Sequence, residues 1–187
     1  MKENQEIPVP KGVQFHTGLE VGLVDRLDKL YIKKITELEK SLEGCDITFT
    51  KIGSLGLEIA IFKAELDILI SVKKKDFEKV KDLVGTMSHK KHEQILWDEN
   101  YALFNGEESL KYAQYDTVSV DYIIAVSGSE RDTHYKKTRK FLETNPKVQW
   151  KYNMLKMEFH SKPYAEYSKA KWAFWDKYKD AIDATEL

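Results

Sequence analysis

What is missing from these 187 residues narrows their chemistry first. There is a single cysteine, Cys45, so no disulfide can form within the chain, which fits a reducing compartment. No apolar run approaches the roughly 20 residues that span a bilayer, and Met1–Glu6 lacks the apolar core of a signal peptide. A cytoplasmic location with no membrane role is the expectation. Charge of one sign is missing too. The 30 Lys and Arg residues nearly cancel the 31 Asp and Glu, and the two signs are interspersed, so no global field draws nucleic acid. The chain also lacks a Walker-type glycine loop, a dinucleotide fingerprint and a Gly-x-Ser-x-Gly elbow. His89 and His92 have ligand-like spacing, but with no cysteine or third histidine nearby they read as a solvated turn rather than a zinc site.

What is there is a globular composition, 42% hydrophobic and 33% charged, long enough to bury a full core in one domain. Residues 1–23 hold Pro8, Pro10, Gly12, Gly18 and Gly22 without a sustained period, and are expected to form a loosely structured lead-in to a domain over 24–187. A first helix is predicted from an Asp25 cap, with Leu27, Leu30, Tyr31, Ile35, Leu38 and Leu42 at helical spacing and Gly44 as its stop. Strands are predicted over Asp46–Ile52 and Leu66–Val72, then a helix capped by Asp76 that buries Phe77, Val80, Leu83, Val84 and Met87. Short β segments follow at Glu93–Trp97, Tyr101–Phe104 and Leu110–Tyr115, with Asn105-Gly106 as a turn, before a long strand over Thr117–Val126. From Ser129, which forms a capping-box pattern with Asp132, the chain reads as helix to about residue 181, with breaks at Asn145-Pro146 and near Pro163.

The chemistry concentrates between Ile52 and Val72. Gly53-Ser54 ends a strand, and Glu65 and Asp67 project from one face of the next, because strand residues two apart share a face. Such a turn offers backbone N–H groups to phosphate oxygens, and carboxylates are hard oxygen ligands for Mg²⁺. The same residues also read as an ordinary turn beside a solvated strand edge. Asp121 interrupts an otherwise apolar strand, so it either faces solvent or converges with Glu65 and Asp67. Three converging acids would suit two-metal nucleotidyl transfer, with Lys63, Arg139 and Lys171 balancing triphosphate charge. Each base taken singly also reads as a plain surface residue. The aromatic stripe of Tyr164, Tyr167, Phe174 and Tyr178 reads as packing.

Four ordered blocks resemble the GrpB-like proteins of the polymerase-β-type nucleotidyltransferase superfamily. They are Ile52-Gly53-Ser54 with Lys63-Ala64-Glu65-Leu66-Asp67-Ile68-Leu69, then Asp121–Ser129, Arg139–Pro146, and Leu155-Lys156 with Tyr167, Lys171 and Phe174. The resemblance implies an α+β fold: a small mixed β-sheet of nucleotidyltransferase type, flanked by helices, with a C-terminal helical hairpin or bundle over about 129–181. It implies a Mg²⁺-dependent nucleotidyltransferase moving a nucleoside monophosphate from an NTP to an unidentified acceptor. In that reading Asp67, Glu65 and Asp121 are catalytic and hold metal, while Gly53, Ser54, Lys63, Arg139 and Lys171 hold the nucleotide. The superfamily pattern has a second acid where this chain has Leu69, and Glu65 is the candidate replacement. The alternatives are a catalytically degenerate nucleotide- or anion-binding protein of the same fold, or a protein-interaction module using the aromatic C-terminal helices. Oligomeric state has no signature in the sequence.

Overall fold

The computed structural model describes residues 15–17, 21–55, 57, 61–87, 90–91, 97–112 and 115–187. Strands β1 (His16–Thr17) and β3 (Ile61–Phe62) pair antiparallel as a small ribbon. The main sheet has five strands: β2 (Ile47–Lys51), β4 (Glu65–Val72), β5 (Lys90–Lys91), β6 (Tyr101–Tyr112) and β7 (Tyr115–Val126). Their order is β2–β4–β7–β6–β5, with β4 and β7 parallel and every other pairing antiparallel. The sheet is mixed, as expected.

Alternation divides its two faces. Leu66, Ile68, Ile70 and Val72 on β4, with Val118, Val120, Tyr122 and Ile124 on β7, point to the side covered by α1 (Val21–Ser41) and α2 (Phe77–Met87). These helices bring Leu23, Leu27, Leu38 and Leu42, and Phe77, Val80 and Val84, into the same core. On the opposite face Leu69, Tyr101, Leu103, Ile123 and Ala125 form a second cluster, with Tyr135 of α3 (Glu130–Thr144) packed against it. Helix α3 thus shields only the half of this face near the C-terminal ends of β4 and β7. The other half carries Glu65, Asp67, Ser119 and Asp121.

Helices α4 (Pro146–Glu158) and α5 (Tyr164–Lys177) form the expected C-terminal hairpin, and α6 (Lys179–Asp183) returns to α3. Helix α4 reaches the small ribbon, where Asn153 Oδ1 accepts from the Ile61 N–H at 3.0 Å. Its stripe is inverted: Gln149, Tyr152, Asn153 and Lys156 are buried, while Trp150, Met154 and Met157 are exposed.

Several expected boundaries move. Helix α1 starts at Val21, so Asp25 lies inside it and ion-pairs with Lys29 at 2.7 Å instead of capping. Phe15 is buried and His16–Thr17 pair with β3, which ties down the described part of the N-terminal lead-in. Asn105-Gly106 is not a turn but mid-strand in β6, opposite Asp121 and Val120. Glycine fits closely there, since a Cβ would sit 3.2 Å from the Tyr122 ring. The Asp76 carboxylate accepts from the Asp46 N–H at 3.1 Å rather than capping α2, which is entered through a 3-10 turn at Lys74–Asp76. The last helix breaks at Tyr178. Most of the expected strand Glu93–Trp97 lies outside the described residues.

Ser129 caps α3 as expected, accepting from the Asp132 N–H. The Asp132 side chain has a further role that the capping pattern did not suggest. It is buried, and it accepts from Ser71 Oγ of β4 at 2.5 Å, from the Gly128 N–H at 2.9 Å and from Lys136 Nζ at 2.9 Å. Removing this acceptor strands the buried Ser71 hydroxyl and frees the partly buried Gly128 N–H and Lys136 ammonium. Asp132→Ala is expected to cost about 3 kcal/mol, lowering the thermal midpoint by about 10 °C. Calorimetry checks this, and an unchanged midpoint would mean that α3 is held by apolar packing alone.

Candidate functional site

The parallel register sets Asp67 directly beside Asp121 on β7, and Asp121 beside Asn105 on β6. One step along, Glu65 lies beside Ser119, and Ser119 beside Glu107. Asn105 Nδ2 donates to Asp121 Oδ1 at 2.6 Å and to Ser119 Oγ at 2.7 Å. The polar half of the sheet face is therefore a row of oxygens across three strands. Asn105 belongs to this row although the sequence reading placed it in a turn.

Strand β2 ends where Ile52 donates its N–H to the Asp67 carbonyl at 3.2 Å, which delivers Gly53 onto the Asp67 side chain. Gly53 has φ +70°, and a Cβ there would lie 2.1 Å from Asp67 Oδ2. Only glycine meets both demands. Arg139 on α3 fixes the turn: Nη1 donates to the carbonyls of Gly53 at 3.1 Å and Leu55 at 2.9 Å, and Nε to Glu143 at 2.6 Å. The arginine does point at the Gly-Ser turn, but these donors are spent on backbone oxygens and a glutamate. It positions the turn.

The cations come from three elements. Lys63 ion-pairs with Glu65 at 2.5 Å. Burial works against its charge, but Glu65 and then Asp67 outweigh that and hold its pKa above the ordinary value. Lys156 on α4 is 2% exposed and donates to Ser54 Oγ and to the Ile61 carbonyl. Both acceptors are neutral, and Lys156 forms no ion pair among the described residues. Burial, then the charge of Lys171, lower its pKa to about 7. Lys171 itself has no hydrogen bond or ion pair among the described residues, though its charge reaches Lys156, Asp67 and Tyr167. Asp67 is pushed the opposite way, up to about 7, by loss of hydration and then by Glu65 and Asp121, with Lys63 and Lys171 opposing.

Every residue expected at the site is thus accounted for. Gly53 and Ser54 sit with Asp67, and Lys63, Lys156 and Lys171 lie within electrostatic range of it. Arg139 braces the turn from α3. The sequence reading noted Lys156 only as a family match and gave it no role. The signal that could have found it is the polar stripe Gln149, Tyr152, Asn153 and Lys156 at helical spacing, on a helix whose apolar residues form the other stripe.

The donors do not fit a two-ion centre. Glu65 is engaged by Lys63, Asp121 is bonded by Asn105, and Leu69, where the resemblance led one to expect a second acid, is a buried apolar residue. Among the described residues no group of three or more His, Cys, Asp or Glu is placed to hold a metal ion. Two surface grooves of about 760 and 660 Å³ lie elsewhere, between α1 and β2 and along α4 and α5. Beside the charged cluster, Tyr164 is 53% exposed, and its ring lies 5.6 Å from Lys63 Nζ.

No family model matches the chain, and no curated protein matches it. Its structure is similar to the crystal structure of the conserved protein GrpB from Enterococcus faecalis, with a TM-score of 0.62 and 15% sequence identity. The match covers 84% of this chain and 93% of that one. The chain therefore has a GrpB-like fold, as the sequence blocks implied. No helix among the described residues is long and apolar enough to cross a membrane.

The raised Asp67 pKa has a pH signature. Between the usual carboxylate value of 3.8 and about 7, the folded chain keeps a proton that the unfolded chain has released. Stability from this group therefore falls as pH rises through that window, by at most about 1.4 kcal/mol per unit, and levels off above it. Lys156 contributes with the opposite sign, its cost easing only as pH rises above about 7. Asp67→Asn removes the acid's dependence, so its melting temperature should gain on that of the wild type from pH 5 to pH 7. A difference that stays flat across this range would show that Asp67 titrates like a solvated carboxylate.

Proposed function

We propose that the chain binds a phosphorylated ligand of the nucleoside triphosphate class at the cluster of Gly53, Ser54, Lys63, Lys156 and Lys171, as a binding protein rather than a two-metal transferase. The observation that carries this reading is the buried Lys156 ammonium, held on the Ser54 hydroxyl and lacking an ion pair among the described residues. Lys171, half-buried and without an ion pair among the described residues, adds a second cation, and the two repel each other. Lys156 Nζ also lies 4.2 Å from the Tyr152 ring centroid, but these neutral partners supply no counter-charge, and a polyanion between the two lysines offsets the cost of burial with charge-assisted hydrogen bonds. Ser54 and its turn, braced by Arg139, set where the anion would lie. Lys63 lends part of its charge while remaining paired with Glu65.

A second reading, nucleotidyl transfer to an unidentified acceptor with Mg²⁺ as cofactor, is favoured by one observation. Asp67 and Asp121 lie side by side in register, and the charge of Asp121 raises the Asp67 pKa. One Mg²⁺ between these two carboxylates would relieve that repulsion and supply electrostatic stabilisation of a leaving pyrophosphate.

Calorimetric titration with ATP, with and without Mg²⁺, separates the readings. The binding reading expects ATP to bind without Mg²⁺, and Lys171→Ala to weaken it about tenfold, or about 1.4 kcal/mol. Binding that requires Mg²⁺ and disappears in Asp67→Asn would favour the transferase. No heat with or without Mg²⁺ would overturn both.

A further inference from the structure

The cation cluster has an aromatic residue at its exposed edge that neither the fold nor the phosphate reading uses. Tyr164 is the first residue of α5, and it is 53% exposed although its neighbours along the same stripe are not. Tyr167, one turn on, is 2% exposed and packs edge-on against Phe15, with its hydroxyl 3.3 Å from that of Tyr152. Lys171, two turns from Tyr164, shares its helix face and belongs to the cation cluster. At 1.5 Å per residue the two are about 10 Å apart along the axis. A ring at one end and an ammonium with no ion pair among the described residues at the other match the layout of a nucleotide, with its base separated from its outer phosphates by a sugar.

Contact with the site is direct. Lys63 Nζ lies 5.6 Å from the centroid of the Tyr164 ring and pairs with Glu65, the neighbour of Asp67 on its strand face. The Tyr164 ring therefore borders the charged cluster. It keeps more than half of its surface in solvent. A core tyrosine would bury that area, whereas a stacking platform needs it open.

We infer that Tyr164 is the platform on which the base of a nucleotide stacks, so that the site prefers nucleotides over phosphate compounds without an aromatic ring. The inference rests on the phosphate reading of the same cluster. Stacking uses the π-face that every base has, so the preference extends across bases, with the larger purines favoured.

The test compares ATP with inorganic tripolyphosphate, by calorimetry, on the wild-type chain, Tyr164→Ala and Tyr164→Trp. The wild type should bind ATP more tightly than tripolyphosphate. Tyr164→Ala should lose about tenfold for ATP and leave tripolyphosphate unchanged, and Tyr164→Trp should restore the ATP affinity. Equal losses for both ligands, or none for ATP, overturn the stacking role: Tyr164 would then only support Lys63 or stand apart from the site. Failure of the wild type to bind either ligand overturns the phosphate reading beneath it. A matched thermal scan of the three proteins keeps loss of folding distinct from loss of binding.

Discussion

The Asp67 carboxylate occupies the space that a β-carbon on residue 53 would need, and the neighbouring structure follows from that contact. Because Gly53 closes over Asp67 with a positive φ, the chain leaves β2 in a tight turn. That turn exposes the carbonyls of Gly53 and Leu55 to Arg139 and the Ser54 hydroxyl to Lys156. Helix α3 is thereby linked to the turn from one side and α4 from another. The same α3 is anchored to β4 by Asp132 and Ser71, four residues beyond Asp67 on the strand. One strand thus organises both the apolar half and the charged half of the sheet face.

Charge balance explains why the region is compact without being inert. Glu65 and Lys63 satisfy each other, and Asn105 bonds Asp121. Asp67 and Lys156 are displaced toward neutrality from opposite directions, and among the described residues neither has an ion pair to offset its burial. Lys171 sits between them in influence, lowering both pKa values. A purely structural network would pair these charges directly. Instead Lys156 rests on a hydroxyl and a peptide carbonyl, the arrangement from which the proposed anion binding is argued.

Much of this was legible in the sequence because it is carried by local patterns. Gly53-Ser54, the Glu65–Asp67 spacing and the apolar alternation of β4 and β7 specify strand, turn and facing acids with short-range rules. The mixed sheet and the C-terminal hairpin followed from the ordered blocks. What escaped was set by packing across the chain. Asn105-Gly106 has the composition of a turn, yet the Tyr122 ring packs close over the glycine in mid-strand, and Asp121 supplies the partner for Asn105. Lys156 looks like a surface base until its helix proves to bury its polar stripe. Arg139 was expected at an anion, but the turn it faces presents carbonyl oxygens that only a folded backbone reveals.

The central claim is that Lys156 is a buried cation awaiting an anion, and its own titration tests this most directly. With ¹⁵N-labelled lysine, the Lys156 side-chain resonance can be followed against pH by NMR, assigned by its loss in Lys156→Met. Without ligand it should titrate near 7, and in saturating tripolyphosphate its pKa should rise toward the ordinary lysine value of 10.5. A pKa that is ordinary in the free protein, or one that tripolyphosphate leaves unmoved, would contradict the account.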